Sequence, residues 1–285
     1  MKNSAIKTIC VCGAGTMGSG IAQVAAQAGF TTIQFDVSDV MLEKSKTGIK
    51  KSLDYLLVKN KITAEEKIII FNRIIFTSKI NDCIADVIIE AIVEKKEIKV
   101  ELFNQLASIN SSQTILATNT SSISLNEIAK EIPSPERVIG LHFFNPATIM
   151  KLVEVIQAEQ TSNEVIESIL SICKQMNKVA VVCKDAPGFI VNRVARHYYL
   201  EAMKLIELNL ATLETVDAVM ENAGFKMGPF KLMDLIGMDI NFSVSKIVYE
   251  AMGKPERLTP SIVQQQKVEA NELGVKTGKG FYTYS

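Results

Sequence analysis

The chain has 285 residues, of which 47% are hydrophobic and 22% charged, and its 31 Lys and Arg balance 31 Asp and Glu. This is the composition of a globular protein, not of a disordered or fibrous one. A net charge of zero offers no footprint for nucleic acid, and no uninterrupted apolar run approaches the ~18 residues of a membrane-spanning helix.

The N-terminus, Met1-Lys2-Asn3-Ser4, lacks a charged region followed by a hydrophobic stretch, so no signal peptide is expected and a cytoplasmic location follows. Strand and helix signals then alternate. Ile6–Cys12 is a β-branched run ending in glycines, Met17–Ala28 a helix with small residues on one side, and Thr31–Phe35 a second strand. Val40–Lys59 reads as a long amphipathic helix with a basic side, and Ala64–Asn72 as another helix. Strands are expected at Ile74–Thr77, Val87–Glu90, Thr114–Thr118, Val138–His142, Val153–Ile156 and Val179–Val182, and helices at Lys95–Ile109 and Glu164–Met176. The pattern changes at Asp185-Ala186-Pro187-Gly188, where Pro and Gly break the chain. Beyond it only helical periodicity remains: Phe189–Asn209, Leu213–Asn222, Phe230–Ile236, Asp239–Met252 and Pro260–Asn271. The expected fold is therefore α/β, with a doubly wound, mostly parallel sheet over residues 1–185 and an all-helical domain over 186–285.

The five cysteines are scattered, and two of them, Cys10 and Cys12, share one face of the first strand. They read as buried, reduced thiols. With only two histidines, no metal site in the common His/Cys spacings is expected.

The first strand runs into Gly13-Ala14-Gly15-Thr16-Met17-Gly18, which opens the first helix, and Asp36 closes the next strand. A lone GxGxxG is weak, but this context is that of a Rossmann-type dinucleotide site. Gly13 permits the tight turn, Gly15 the approach of a pyrophosphate, and Gly18 the packing of helix on strand. The pyrophosphate would meet the free N–H groups and dipole of the helix N-terminus. Asp36 would accept from the ribose hydroxyls and repel a 2′-phosphate, favouring NAD over NADP. A flavin could use the same fingerprint.

His142 ends an apolar strand in Gly140-Leu141-His142-Phe143-Phe144-Asn145-Pro146. Strand ends are where open α/β sheets bind ligands, and an imidazole can take a proton from an alcohol near neutral pH. A satisfied core histidine is the alternative. Glu154 follows among apolar neighbours and, if buried, needs a partner; pairing with the imidazole would fix its tautomer. Ser121, in Asn119-Thr120-Ser121-Ser122, could bind a substrate oxygen or belong to a helix cap, for which Ser124 is also placed. Asn192 is expected about one turn into the helix that follows Pro187-Gly188-Phe189, and His197 reads as structural.

These segments together resemble the short-chain 3-hydroxyacyl-CoA dehydrogenases, bacterial 3-hydroxybutyryl-CoA dehydrogenases in particular. The resemblance spans essentially the whole chain and rests on GAGTMGSGIAQ (Gly13–Gln23), NTSS (Asn119–Ser122), HFFNP (His142–Pro146), MKLVEVI (Met150–Ile156), PGFIVNR (Pro187–Arg193) and GKGFY (Gly278–Tyr282). It implies that His142 is the general acid/base, Glu154 its orienting carboxylate, Ser121 the hydrogen-bond partner of the substrate 3-oxygen, and Asn192 a residue holding the substrate. It implies cofactor contacts from the glycine loop, Asp36, Glu94, Lys99, Ser121, Asn145 and Lys276. Coenzyme A would meet Ser52 and Lys59, beside Lys44, Lys46, Lys50 and Lys51, together with Ser121. A homodimer joined through the helical domain is also implied. Ala147-Thr148-Ile149 departs from the family's usual apolar, proline-containing stretch. Met227-Gly228-Pro229-Phe230 and Met233–Gly237 look partly like relatives acting on 3-hydroxyadipyl-CoA. Two other readings stay open: a dehydrogenase of the same fold acting on a free hydroxy acid or sugar acid, and a non-catalytic dinucleotide-binding protein.

Overall fold

β-Branched runs too short for helices, set between amphipathic stretches, give an alternation of strands and helices. The computed structural model describes residues 6–284, so the segment Met1–Ser4 that bears the signal-peptide expectation lies outside the described residues. The chain divides into two units, one ending at Asp185 and the other starting at Ala186.

The first unit contains β1 (Thr8–Cys12), α1 (Thr16–Gln27), β2 (Thr31–Phe35), α2 (Asp39–Val58), α3 (Ala64–Asn72), β3 (Ile74–Thr77), β4 (Val87–Glu90), α4 (Lys96–Ile109), β5 (Ile115–Thr118), α5 (Leu125–Ala129), β6 (Val138–Phe143), β7 (Leu152–Gln157), α6 (Asn163–Gln175) and β8 (Val179–Lys184). The strands form one sheet in the order β3-β2-β1-β4-β5-β6-β7-β8. All neighbours are parallel except β6 and β7, which are antiparallel. The chain leaves β1 toward β2 on one side and returns to β4 on the other. That reversal opens a crevice beyond the carboxyl ends of β1 and β4, where Gly13 and Ala91 begin their loops.

Every residue of β4, β5 and β6 is buried, as expected of strands covered on both faces. Ile9, Val11, Ile89, Ala117 and Ile139 pack against Ile21, Ala22 and Ala25 of α1 in one core. Each fully buried aliphatic side chain contributes about 1.5–3 kcal/mol, so truncating Ile89 to Ala would cost about 2–5 kcal/mol once the cavity is included. On the opposite face of β1, Cys10 and Cys12 are buried with sulfurs 3.8 Å apart. All five cysteines are free thiols, and burial pushes Cys173 up to about 12, which leaves it unreactive.

The second unit is helical: α7 (Val191–Glu207), α8 (Leu213–Asn222), α9 (Pro229–Ile236), α10 (Met238–Ala251) and α11 (Ile262–Glu269). Its core gathers Tyr199, Met203, Phe230, Met233, Met238 and Val248. Two buried carboxylates tie down the aromatic tail. Asp234 accepts from the Phe281 and Tyr282 N–H groups, both at 2.9 Å, and Asp217 accepts from the Tyr282 hydroxyl at 2.8 Å. Gly280 is therefore required sterically: a Cβ there would lie 2.0 Å from Asp234 Oδ1.

Most boundaries differ from expectation by one or two residues, and some of the differences have a visible local cause. α7 begins at Val191 rather than Phe189, because Gly188 and Phe189 take positive φ angles of 72° and 47°. Asn192 thus lies in the first turn of α7. α11 starts at Ile262 rather than Pro260, because Ser261 and Gln264 form a capping box there, and it ends at Glu269. α5, for which no bounds are expected, follows the cap expected at Ser124, whose side chain accepts from Glu127 N.

Candidate active site

The loop at the end of β1 is built for close approach. Gly13 has φ +109°, and a Cβ there would meet Ala91 O at 2.5 Å; one on Gly18 would meet Gly13 O at 1.9 Å. Over Gly15 there is open space, with nothing within 4 Å of an added Cβ. α1 starts with no side-chain cap and no acidic residue in its first turn. An uncapped helix N-terminus beneath an open glycine fits a dinucleotide pyrophosphate. Asp36 follows β2 and is half-buried. Its Oδ2 accepts from Ala14 N at 2.7 Å and its Oδ1 from Ser38 N at 2.9 Å. The carboxylate therefore also fixes the shape of the glycine loop.

His142 lies near the end of β6, and the antiparallel register sets Glu154 of β7 directly opposite it. His142 Nδ1 is 2.8 Å from Glu154 Oε2, and the two residues are 6% and 1% exposed. An ionised carboxylate only accepts, so Nδ1 carries the hydrogen and the imidazole is held in a single tautomer. The Phe144 ring, 4.6 Å from the imidazole centroid to centroid, packs against it. Gly140, two residues earlier, leaves room for Ile156; a Cβ there would lie 2.7 Å from Ile156 Cβ.

Ser121 follows β5, and its backbone N–H donates to Glu94 Oε1 at 3.0 Å. The same oxygen accepts from Thr120 Oγ1 at 2.5 Å and Ser122 Oγ at 3.1 Å. Burial pushes the Glu94 carboxyl up, but Lys99, the Thr120 hydroxyl and the Ser121 N–H outweigh it, and the group ends below the ordinary carboxylate range. Lys99 Nζ lies 3.1 Å from Glu94 Oε2 and 2.6 Å from Glu90 Oε1, with only 1% of its side chain exposed. Lys99 thus turns its charge onto two carboxylates and reaches the surface of the site by way of Glu94. Asn145 is exposed on the loop after β6.

Sequence reasoning missed Asn119, whose Oδ1 accepts from Phe143 N at 2.8 Å. It also missed Lys178, which donates to the carbonyls of Ala147 and Met150 and so holds the loop after His142. Asn119 belonged to a recognised motif and carried that signal; Lys178 carried none. Ser52 is half-buried on α2, with Lys44, Lys50 and Lys51 exposed. Lys59 caps the end of α2 instead of lying within it, its ammonium over the Tyr55 ring. In the helical unit, the carbonyl of Asn192 accepts from Arg196 Nε at 3.1 Å, and Lys276 pairs with Asp239. Among the described residues no cluster of three His, Cys, Asp or Glu could hold a metal, and no helix is long and apolar enough to cross a membrane.

Two family models match nearly the whole chain: "3-hydroxyacyl-CoA dehydrogenase, NAD binding domain" over residues 8–186 and "3-hydroxyacyl-CoA dehydrogenase, C-terminal domain" over residues 188–284. The chain is 46% identical over 281 residues to the 3-hydroxyadipyl-CoA dehydrogenase of Escherichia coli, covering 98% of this chain but only 59% of that protein. It is 40% identical over 281 residues to a probable 3-hydroxybutyryl-CoA dehydrogenase of Bacillus subtilis, covering 98% of each. The crystal structure of (S)-3-hydroxybutyryl-CoA dehydrogenase from Ralstonia eutropha superposes with a TM-score of 0.94 at 36% identity, over 99% of this chain and 100% of that one. The chain belongs to the 3-hydroxyacyl-CoA dehydrogenase family.

Proposed function

We propose that the protein interconverts a short (S)-3-hydroxyacyl-CoA, the C4 compound first, and the corresponding 3-ketoacyl-CoA with NAD(H). The observation that carries this is the buried His142–Glu154 pair at 2.8 Å, set at the carboxyl end of the strand next to the Ser121 loop. In oxidation the 3-hydroxyl gives its proton to His142. Nδ1 is committed to Glu154, so the exchange falls to the other ring nitrogen. Glu154 stabilises the imidazolium, and in the reverse direction that imidazolium returns the proton. Ser121 holds the 3-oxygen and Asn192 the acyl group. A bound nicotinamide would supply the acceptor for the hydride leaving C3.

The glycine loop Gly13–Gly18, with Asp36, Glu94 and Asn145, holds the dinucleotide, with Lys99 acting through Glu94, and Lys276 is read as a further cofactor contact. Asp36 supports NAD over NADP, because its carboxylate would face a 2′-phosphate with like charge. Coenzyme A lies against Ser52 and Lys59, with Ser121 at the thioester end; the exposed lysines of α2 suit its phosphates. The helical unit contributes substrate contacts and a homodimer interface, and light scattering that gave a monomer mass at micromolar concentration would remove the latter.

A second reading, 3-hydroxyadipyl-CoA as substrate, is favoured by the 46% identity to the Escherichia coli relative of that name. Initial rates with acetoacetyl-CoA, longer 3-ketoacyl-CoAs and 3-ketoadipyl-CoA, each with NADH and NADPH, separate the two. Preference for acetoacetyl-CoA supports the first reading, and preference for the dicarboxylic thioester replaces it with the second. Failure to turn over any acyl-CoA, with NADH still binding, would sink both.

A further inference from the structure

We propose that Glu90 is a positioning residue for the Ser121 loop, acting through Lys99 and Thr118. The proposal rests on the reading of Ser121 and Glu94 as reaction-site groups. Glu90 ends β4 and is 0% exposed. A carboxylate so buried is held entirely by its partners. Lys99 Nζ donates to Oε1 at 2.6 Å, Ile92 N to the same oxygen at 2.8 Å, and Thr118 Oγ1 to Oε2 at 2.7 Å.

Each of two side-chain partners continues to the loop. Lys99 is paired with Glu94, and Glu94 accepts from Thr120 Oγ1, Ser121 N and Ser122 Oγ. Thr118 Oγ1 in turn accepts from Thr120 N at 3.2 Å. The backbone adds a third connection, since Asn119 N donates to Glu90 O at 2.7 Å. Glu90 is thus a common root of several of the contacts that fix residues 119–122, beside the separate bond from Phe143 N to Asn119 Oδ1.

The charges explain why a carboxylate is needed there. Glu90, Lys99 and Glu94 carry two negative charges and one positive. Glu90 shares Lys99 with Glu94: the ammonium lies against Glu94 Oε2, and the loop donors gather on Glu94 Oε1. Without the Glu90 charge, Lys99 has Glu94 as its one remaining carboxylate and draws it away from Ser121.

The test compares wild type with Glu90→Gln, reading melting temperature, NADH affinity by fluorescence, and kcat and KM for acetoacetyl-CoA. Expected are a folded variant, NADH affinity lowered about tenfold or more and kcat lowered by a similar factor, with KM for the acyl-CoA little changed. General loss of structure would reduce the active fraction but not the NADH affinity of what remains folded. A folded Glu90→Gln protein with wild-type NADH affinity and kcat overturns the proposal. If Glu90→Gln does not fold, Thr118→Val, which keeps the ion pair and removes one route, decides. A several-fold fall in kcat supports the proposal, and unchanged kcat and NADH affinity overturn it. Absence of wild-type turnover on every 3-ketoacyl-CoA would count against the functional reading alone, since NADH affinity is read without substrate.

Discussion

The side chain of Asn119 takes the backbone N–H of Phe143 as its donor at 2.8 Å, and so ties the loop bearing Ser121 to the residue after His142. The parallel ladder between β5 and β6 ends at Thr118↔Gly140, so the amide carries the connection past the last strand pair. Replacing Asn119 by Ala leaves a part-buried N–H without its acceptor, a loss of about 1–3 kcal/mol. A lower melting temperature and a fall in kcat with acetoacetyl-CoA are expected, and Asn119→Asp, which keeps an acceptor, should recover the melt. Wild-type melting and turnover in Asn119→Ala would show that the link does not matter.

His142→Ala should lower kcat by ~10²–10⁴, the usual worth of general acid–base assistance. Glu154→Gln keeps the shape and an acceptor but loses the charge that stabilises the imidazolium, so a smaller fall is expected. NADH oxidation with acetoacetyl-CoA measures both. Near wild-type turnover in His142→Ala would refute the assignment.

Asp36→Ala removes the carboxylate expected to exclude a 2′-phosphate, and with it the acceptor of Ala14 N. The ratio of kcat/KM for NADH over NADPH should fall, through both poorer NADH use and better NADPH use. If the wild type already prefers NADPH, the glycine-loop reading stands and the ribose reading does not.

Acid stability offers a separate check in the helical unit. The Lys267 and Lys279 ammonium groups hydrogen-bond Glu272 and pull its carboxyl from 4.5 down to about 2. A group depressed in the folded state stabilises above its unfolded value and loses that contribution as pH falls through the folded one. The contribution is therefore present above about pH 4.5 and vanishes toward about pH 2. Glu272→Gln should melt lower than wild type at neutral pH, with the difference closing across that window. A difference independent of pH would contradict the ion-pair account.

Much was determined by the sequence alone, because its causes are local. A β-branched run, a glycine turn and a helix are specified by neighbours in the chain, so β2, α3, β3, β4 and α8 are found at their expected bounds. The Gly13–Gly18 loop and the break after Asp185 were legible for the same reason. What only the tertiary structure decided is non-local. The antiparallel turn from β6 to β7 is what faces Glu154 with His142. Had β7 run parallel to β6, the same residues would not meet. The burial of Glu90 with Lys99, and the grip of Asn119 on Phe143, depend on where β4, α4, β5 and β6 come together, and periodicity carries no trace of that. The start of α7 at Val191 came from the left-handed backbone at Gly188 and Phe189, which helical periodicity alone does not register.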